Sequence, residues 1–283
     1  MRKKKLNVGI IGLGVGEQHL IGFRRSKHID KIGVFDVDEK KTKKIQKSYK
    51  NIKIYQSENE LLNDPDIDII SIASFDQYHF RQIKRALKNN KHIFCEKPIC
   101  TKYSDFEEIK ELLKKSKIVM TTNTILRTSP RFLDLKRRIS QNYFGDIYLI
   151  ELDYNYGRLH KLIDGWRGKI KDFSVMLSGG IHMIDLLLWF VEKMPKKIFG
   201  FSNNINTAKT KIKCDDNSIA ILKFNNKLIA KVSSNFGCVY PHFHKVNIYG
   251  TKASFEQTYN GQFFLKKKKI IIQKKLYVQI IQV

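Results

Sequence analysis

In its first part the chain alternates short apolar runs with stretches that are apolar only every third or fourth residue. Leu6–Leu13, Ile32–Val37, Ile52–Tyr55, Ile67–Ala73, His92–Cys95 and Ile118–Thr121 read as strands. Ile67–Ala73 is nearly continuous in apolar residues, the mark of a strand buried on both faces of a parallel sheet. Between the strands, Glu17–Lys27 carries Leu20 and Phe23 at helical spacing. Phe80–Leu87 turns Ile83, Ala86 and Leu87 to one side, and Phe106, Ile109, Leu112 and Leu113 form a third stripe. Ser57-Glu58-Asn59-Glu60 and Ser104-Asp105-Phe106-Glu107 both have the spacing of a capping box, which predicts a helix start at each serine. Strand and helix in this alternation predict an α/β domain with a doubly wound parallel sheet.

After Asn123 the rhythm changes. Pro130–Gln141 is a basic helix with Phe132, Leu135 and Ile139 on one side, and Ile181–Val191 is a strongly apolar helix. Leu149–Tyr156, Ile198–Ser202, Ser218–Phe224, Leu228–Asn235 and Lys245–Tyr249 read as strands, four of them in succession, with Asn225-Asn226 as a hairpin turn. Strands without helices between them predict a largely antiparallel open sheet in a C-terminal α/β domain. The expected division is into a first domain of residues 1–123 and a second of residues 124–283. The tail, Lys266–Lys269 followed by Ile270–Ile272, reads either as a basic edge hairpin or as a chain that stops before a final element is complete.

Composition narrows the class. The chain has 283 residues, 42% of them hydrophobic and 28% charged, which suits a globular protein. No apolar run approaches the roughly 18 residues of a membrane span, so no membrane partner is expected. Arg2–Lys5 followed by Leu6–Gly12 imitates a secretory signal, but the apolar part is glycine-rich and runs into Glu17-Gln18-His19 without a small-residue cleavage site. A cytoplasmic strand is the expectation. The 4 cysteines form no C-x-x-C pair and no zinc spacing, so free thiols and no metal are expected. The net charge of +26 raises nucleic acid as a partner. The lysines are spread along the chain on polar helix faces, so no nucleic-acid partner is expected. Attraction of an anionic small substrate is the simpler use of such a field.

Candidate chemistry begins at Gly12-Leu13-Gly14-Val15-Gly16, which follows the first strand and opens the first helix. That is the setting of a dinucleotide loop. The first glycine allows the turn, the second lets backbone approach a pyrophosphate, and the helix N-terminus faces the anion. The third glycine of the usual fingerprint would fall at Glu17, whereas Gly16 comes one residue early. Asp36 closes the second strand, where an acid bonds the adenosine ribose, so NAD is expected, with NADP left open.

Further motifs follow in a fixed order: Ser74-Phe75-Asp76-Gln77-Tyr78-His79 after the fourth strand, Glu96-Lys97-Pro98 after the fifth, then Trp166-Arg167 and Gly179-Gly180-Ile181-His182-Met183-Ile184-Asp185. In this order the chain resembles the Gfo/Idh/MocA family of oxidoreductases, glucose–fructose oxidoreductase and inositol dehydrogenase among them, from about Asn7 to about Tyr249. The resemblance implies a Rossmann domain followed by an α/β domain whose open sheet carries a homodimer or homotetramer contact. It also implies a nicotinamide cofactor and a sugar, cyclitol or sugar-nucleotide substrate. It makes Lys97 and His182 the catalytic residues. It places Gly12, Gly14, Gly16, Asp36, Ser74, His79, Glu96, Lys97, Trp166 and Arg167 at the cofactor. At the substrate it places Lys97, Asn123, Arg127, Tyr154, Arg158, Ser178, His182 and Asp185.

The chemistry fits a lysine. Oxidising a secondary alcohol needs a base for the hydroxyl proton as hydride leaves, and a lysine serves once burial or the positive nicotinamide lowers its pKa. Pro98 fixes the turn and is a candidate for a cis bond. Glu96 would orient the lysine or the cofactor, and Asp185, one turn after His182, would hold that ring or cap it. One departure stands out. The family commonly has an aspartate four residues before His182, and this chain has Ser178, which hydrogen-bonds a hydroxyl but offers no anion at neutral pH. The leading expectation is therefore an NAD-dependent dehydrogenase acting on CH–OH groups of a sugar, sugar nucleotide or sugar acid. The alternative is a nicotinamide-binding protein with little or no turnover, a sensor or partner of an enzyme.

Overall fold

The structure is a computed structural model and describes residues 5–170, 173–212, 214–225 and 227–266. All of the expected basic tail after Lys266 lies outside the described residues, as does Asn226. The chain forms two compact units, dividing between Asn123 and Thr124.

The first unit runs β1 (Leu6–Ile11), α1 (Gly16–Arg24), β2 (Ile29–Phe35), α2 (Glu39–Ser48), β3 (Ile52–Ile54), α3 (Glu58–Asn63), β4 (Ile69–Ile72), α4 (Asp76–Lys88), β5 (His92–Cys95), α5 (Tyr103–Lys114) and β6 (Met120–Thr122). Its six-stranded sheet has the order β3-β2-β1-β4-β5-β6, and every pairing is parallel. The order reverses between β1 and β4, which makes the carboxyl ends of these strands the place for a ligand. Both faces are covered because successive side chains point to opposite sides. Ile10 packs with Leu20 of α1 and Ile45 of α2, while Ile11 packs with Leu61 of α3, Ile83 of α4 and Ile109 of α5.

Of the two expected capping boxes, one forms and sets the start of its helix. Ser57 accepts from the Glu60 amide at 3.1 Å, and the Glu60 carboxylate reaches back to the Gln56 amide at 2.9 Å. The box at Ser104 does not form. There α5 starts at Tyr103 without a side-chain cap, and the Ser104 hydroxyl turns to its neighbour Asp105 instead.

The second unit runs α6 (Pro130–Ser140), β7 (Ile147–Asn155), α7 (His160–Ile163), α8 (Ile181–Val191), β8 (Lys197–Asn203), β9 (Asn217–Lys223), β10 (Ile229–Asn235), β11 (Phe243–Gly250), β12 (Ala253–Thr258) and β13 (Gly261–Lys266). Its seven strands lie in the order β13-β12-β11-β7-β10-β9-β8. Five of the pairings are antiparallel and β7 with β10 is parallel. The turn between β9 and β10 closes with the Phe224 amide on the Leu228 carbonyl at 2.9 Å. On the inner face Leu152, Val232 and Val246 join Phe132 of α6 and Leu186 and Phe190 of α8 in one core. The strand register puts Phe199, Phe201, Ile219, Ile221 and Ile229 on the opposite face. There Phe199 is 64% and Phe201 79% exposed.

Candidate active site

In the first unit the expected cofactor residues gather at the carboxyl ends of β1, β2, β4 and β5. Gly12 has φ +89, and a Cβ there would lie 2.5 Å from the Ala73 carbonyl oxygen at the end of β4. Gly16 is the first residue of α1, and its Cβ would press at 3.2 Å on Ala73 and Ile10. Close helix–strand packing is the work of the third fingerprint glycine, so Gly16 fills that role in a loop one residue shorter. A Cβ at Gly14 would meet nothing within 4 Å, and α1 starts on Val15 without a side-chain cap. An open glycine beside an uncapped helix N-terminus fits the pyrophosphate of a dinucleotide. Asp36 is buried. Its Oδ2 accepts from the Leu13 amide at 2.6 Å and its Oδ1 from the Asp38 amide at 2.8 Å. Oδ1 keeps a second lone pair for a ribose hydroxyl, whereas Oδ2 also accepts from Lys41 Nζ at 3.4 Å.

Glu96, Lys97 and Pro98 follow β5, and the Lys97–Pro98 bond is cis. The Glu96 carboxylate is held on three sides. His19 Nε2 lies 3.1 Å from Oε1, Asn123 Nδ2 donates to Oε1 at 2.6 Å, and the Lys97 amide donates to Oε2 at 3.3 Å. Burial alone would raise its pKa, yet the hydrogen bonds from His19 and Asn123 and the charge of Lys97 together hold it below the usual carboxylate range. Glu96 is therefore an ionised, fixed carboxylate against the Lys97 backbone.

Several expectations change here. His79, expected at the cofactor, is fully buried, with its Nδ1 2.7 Å from the Pro98 carbonyl and its Nε2 3.1 Å from the Ser74 carbonyl. It ties the turn after β5 to the turn after β4. The Ser74 hydroxyl donates to Gln82 at 2.7 Å, so that side chain is engaged within the unit. Asn123, expected at the substrate, serves Glu96. An apolar groove of about 700 Å³ beside α1 is lined by Phe23, Ile69, Phe94 and Val119 together with His19 and Asn123. Its apolar walls do not suit a pyrophosphate.

In the second unit, Met176–Gly180 forms a π-helical turn immediately before α8. Such turns recur at functional sites. Ser178 is buried on this turn, and His182 is buried in the first turn of α8. Tyr154 of β7 is the centre of the cluster. Its ring lies 6.1 Å from His182 in a stacked arrangement, and 5.2 Å from each of His242 and His244 of the segment entering β11. Tyr156 and Phe236 lie 5.9 Å from the same ring, and burial pushes the Tyr154 hydroxyl pKa up. His242, His244 and Phe236 were not among the sequence candidates. The only signal was the pair of histidines at alternate positions before a strand.

Arg158 lies 5.7 Å from the centre of the Tyr156 ring, and Arg167 4.6 Å from that of Trp166. The Arg167 Nε is buried without a hydrogen-bond partner among the described residues. Arg127 and Asp185 are spent on each other, with Nε–Oδ2 at 2.8 Å and Nη2–Oδ1 at 2.6 Å. Asp185 therefore steadies Arg127 and does not hold the His182 ring. Among the described residues no group of histidine, cysteine, aspartate or glutamate side chains could hold a metal ion, and no helix is long and apolar enough to cross a membrane.

His242 makes a testable statement about this cluster. Both ring nitrogens are buried without a hydrogen-bond partner among the described residues. Burial, with the charges of Arg158 and Lys161 nearby, lowers its pKa to about 4. The unfolded ring titrates near about 6.5, so between these values the unfolded chain binds more protons. The contribution to stability is complete above the upper value and is lost as pH falls toward the lower one. Urea midpoints at about pH 7 and about pH 5 should therefore fall further in the wild type than in His242→Gln. Equal losses would remove His242 from the account.

The family model described as "Oxidoreductase family, NAD-binding Rossmann fold" (GFO_IDH_MocA) matches residues 6–124, and the model "GFO/IDH/MocA C-terminal domain" matches residues 132–256. The uncharacterized oxidoreductase YrbE of Bacillus subtilis (strain 168) is 25% identical over 259 residues, covering 89% of this chain and 73% of that protein. The myo-inositol 2-dehydrogenase of Thermotoga maritima is 21% identical over 255 residues, covering 87% of this chain and 73% of that protein. Among solved structures, scyllo-inositol dehydrogenase from Lactobacillus casei with bound cofactor NAD(H) and scyllo-inositol shares the fold. Its TM-score is 0.81 at 21% identity, over 91% of this chain and 77% of that one.

Proposed function

Because the chain belongs to the Gfo/Idh/MocA oxidoreductase family, we propose that it exchanges hydride between NAD and a secondary alcohol or ketone of a polyol or sugar derivative. The first unit is the NAD-binding Rossmann domain of that family. In it Gly12, Gly14, Gly16 and the N-terminus of α1 would hold the pyrophosphate and Asp36 the adenosine ribose. When bound, the nicotinamide supplies the hydride acceptor or donor. The observation that carries the reading is the fixed, ionised Glu96 against Lys97 at the carboxyl end of β5. Lys97 takes the hydroxyl proton in oxidation and returns it in reduction.

His182 assists proton transfer or holds the substrate oxygen, and Ser178 donates to or accepts from a hydroxyl. Tyr154 and Arg158 complete the substrate surface, and Trp166 with Arg167 serves the cofactor or an anionic group. Arginines over aromatic faces suit a carboxylate or phosphate as well as a sugar ring, so a sugar acid or sugar nucleotide is the second substrate class. The 4 free cysteines agree with a reducing, cytoplasmic setting.

Titration of the purified protein with NADH and with NADPH tests the reading, followed by a screen of polyols, sugar acids and sugar nucleotides for NADH formation. The buried Asp36 carboxylate repels a 2′-phosphate, so NADH should bind about tenfold or more tighter. Binding of neither nucleotide would overturn the reading. NADH binding without turnover on any class would favour a sensor or partner protein.

The outer face of the second sheet is proposed as the self-association surface of a homodimer or homotetramer. Exposed aromatic and aliphatic side chains on adjacent strands form a patch of the kind that marks an interface. Phe201→Glu should lower the molar mass found by light scattering while NADH binding persists. An unchanged mass would place the contact elsewhere.

A further inference from the structure

We infer that His19 of α1 is a positioning residue for the proton-transfer lysine, acting through Glu96. The inference rests on the reading of Lys97 given above. His19 is buried, with Nδ1 2.9 Å from the Ser71 hydroxyl of β4 and Nε2 3.1 Å from Glu96 Oε1, and its ring lies 4.9 Å from Phe94 of β5. A carboxylate only accepts, so Nε2 carries the proton. In the singly protonated ring Nδ1 is then the acceptor for Ser71 Oγ. One tautomer and one ring orientation are thereby specified by groups from β4 and from the turn after β5.

The same Glu96 oxygen takes the Asn123 amide, while Oε2 takes the Lys97 amide. The backbone around the carboxylate is also tied down. The Glu96 amide donates to the Ile72 carbonyl at 2.8 Å and the Asn123 amide to the Cys95 carbonyl at 3.0 Å. His19 is thus the link between the helix that opens at the glycine loop and the carboxylate beside Lys97. Packing does not require a histidine here. The ring borders the apolar groove next to Phe94 and Phe23, where a leucine would pack as well. A leucine would lose both the N–H aimed at Glu96 and the acceptor for the buried Ser71 hydroxyl. Without that N–H the carboxylate keeps Asn123 on Oε1 and the Lys97 amide on Oε2, a looser hold that lets the carboxylate and Lys97 shift together. A misplacement near 1 Å can cost about a hundredfold in rate.

Three variants test this. His19→Gln keeps an amide N–H near the Nε2 position. His19→Asn keeps polar atoms near Nδ1 and falls short of Glu96, and His19→Leu keeps neither. The NADH dissociation constant should change by less than about threefold in all three. In NAD-linked turnover kcat should stay within about fivefold in His19→Gln and fall about ten- to a hundredfold in His19→Asn and His19→Leu, with KM for NAD little changed. A kcat in His19→Asn within about threefold of wild type, or equal losses in the asparagine and glutamine variants, would overturn the inference. A readout independent of turnover keeps it separate from the reading of Lys97. Long-range proton–nitrogen correlation spectra of ¹⁵N-histidine-labelled protein should show His19 protonated at Nε2. A ring protonated at Nδ1 only would overturn the inference even if no substrate were found.

Discussion

Lys97→Ala is expected to lower kcat about a thousandfold while leaving the NADH dissociation constant within a few-fold of wild type. Removing a positioned proton-transfer group costs on the order of a hundred- to ten-thousandfold, and a thousandfold is about 4 kcal/mol of barrier. Binding should survive because the glycine loop, Asp36 and the start of α1 are held by contacts that do not involve the Lys97 side chain. The Asp36–Leu13 bond at 2.6 Å and the Gly12–Phe35 backbone bond at 2.8 Å are the main ones. Lys97→Arg should be nearly as slow as the alanine variant, because a guanidinium keeps the charge but does not give up its proton near neutral pH. NADH absorbance under saturating substrate, with a parallel binding titration, reads both quantities. Turnover close to wild type in the alanine variant would remove Lys97 from the mechanism.

Gly12→Ala should abolish NADH binding and lower the melting temperature together. The new methyl must accept φ +89 and a separation of 2.5 Å from the Ala73 carbonyl. Left-handed backbone costs an L-residue about 1–2 kcal/mol, and the overlap is relieved only by moving the end of β4. Gly14→Ala makes the comparison informative. Its methyl meets no protein atom within 4 Å, so the melting temperature should hold while NADH affinity falls at least about tenfold, the methyl filling the room a pyrophosphate needs. Calorimetry and titration on the pair separate a loop that shapes the fold from one that admits a ligand. If both variants bind NADH as wild type does, the dinucleotide site lies elsewhere.

Much of this architecture was legible because its signals are local. The apolar runs around Ile10 and Ile70, the glycines after β1 and the apolar face of α8 each announce themselves within a few residues. The Ser57 cap was legible for the same reason, whereas the identical spacing at Ser104 was not decisive, since α5 starts at Tyr103. The hairpin of β12 and β13 was missed despite alternating Ala253, Phe255 and Gln257 and an Asn260-Gly261 turn, a strong hairpin signal in retrospect.

The site was less legible because its partners are remote in sequence. His19 meets Ser71 and Glu96 across 52 and 77 positions, and Arg127 meets Asp185 across 58. Motif order could mark such residues but not tell which of them spend their polar atoms on one another. His79 is the clearest case. The family resemblance implied a cofactor contact for it, and its two ring nitrogens lie against two backbone carbonyls.

The parallel pairing of β7 with β10 has a consequence for how the second unit comes into being. β7 is the first strand of that sheet in the chain, yet both of its neighbours, β10 and β11, come from near the end of it. Asp153 waits 78 positions for Lys231. On the ribosome β7 leaves the exit tunnel with neither edge satisfied and stays so until β10 has followed. Contacts this distant slow folding and prolong the exposure of unpaired edges. Translation arrested before β10 would therefore yield a nascent chain whose first unit can fold and whose second cannot, with a bare apolar strand for chaperones to cover.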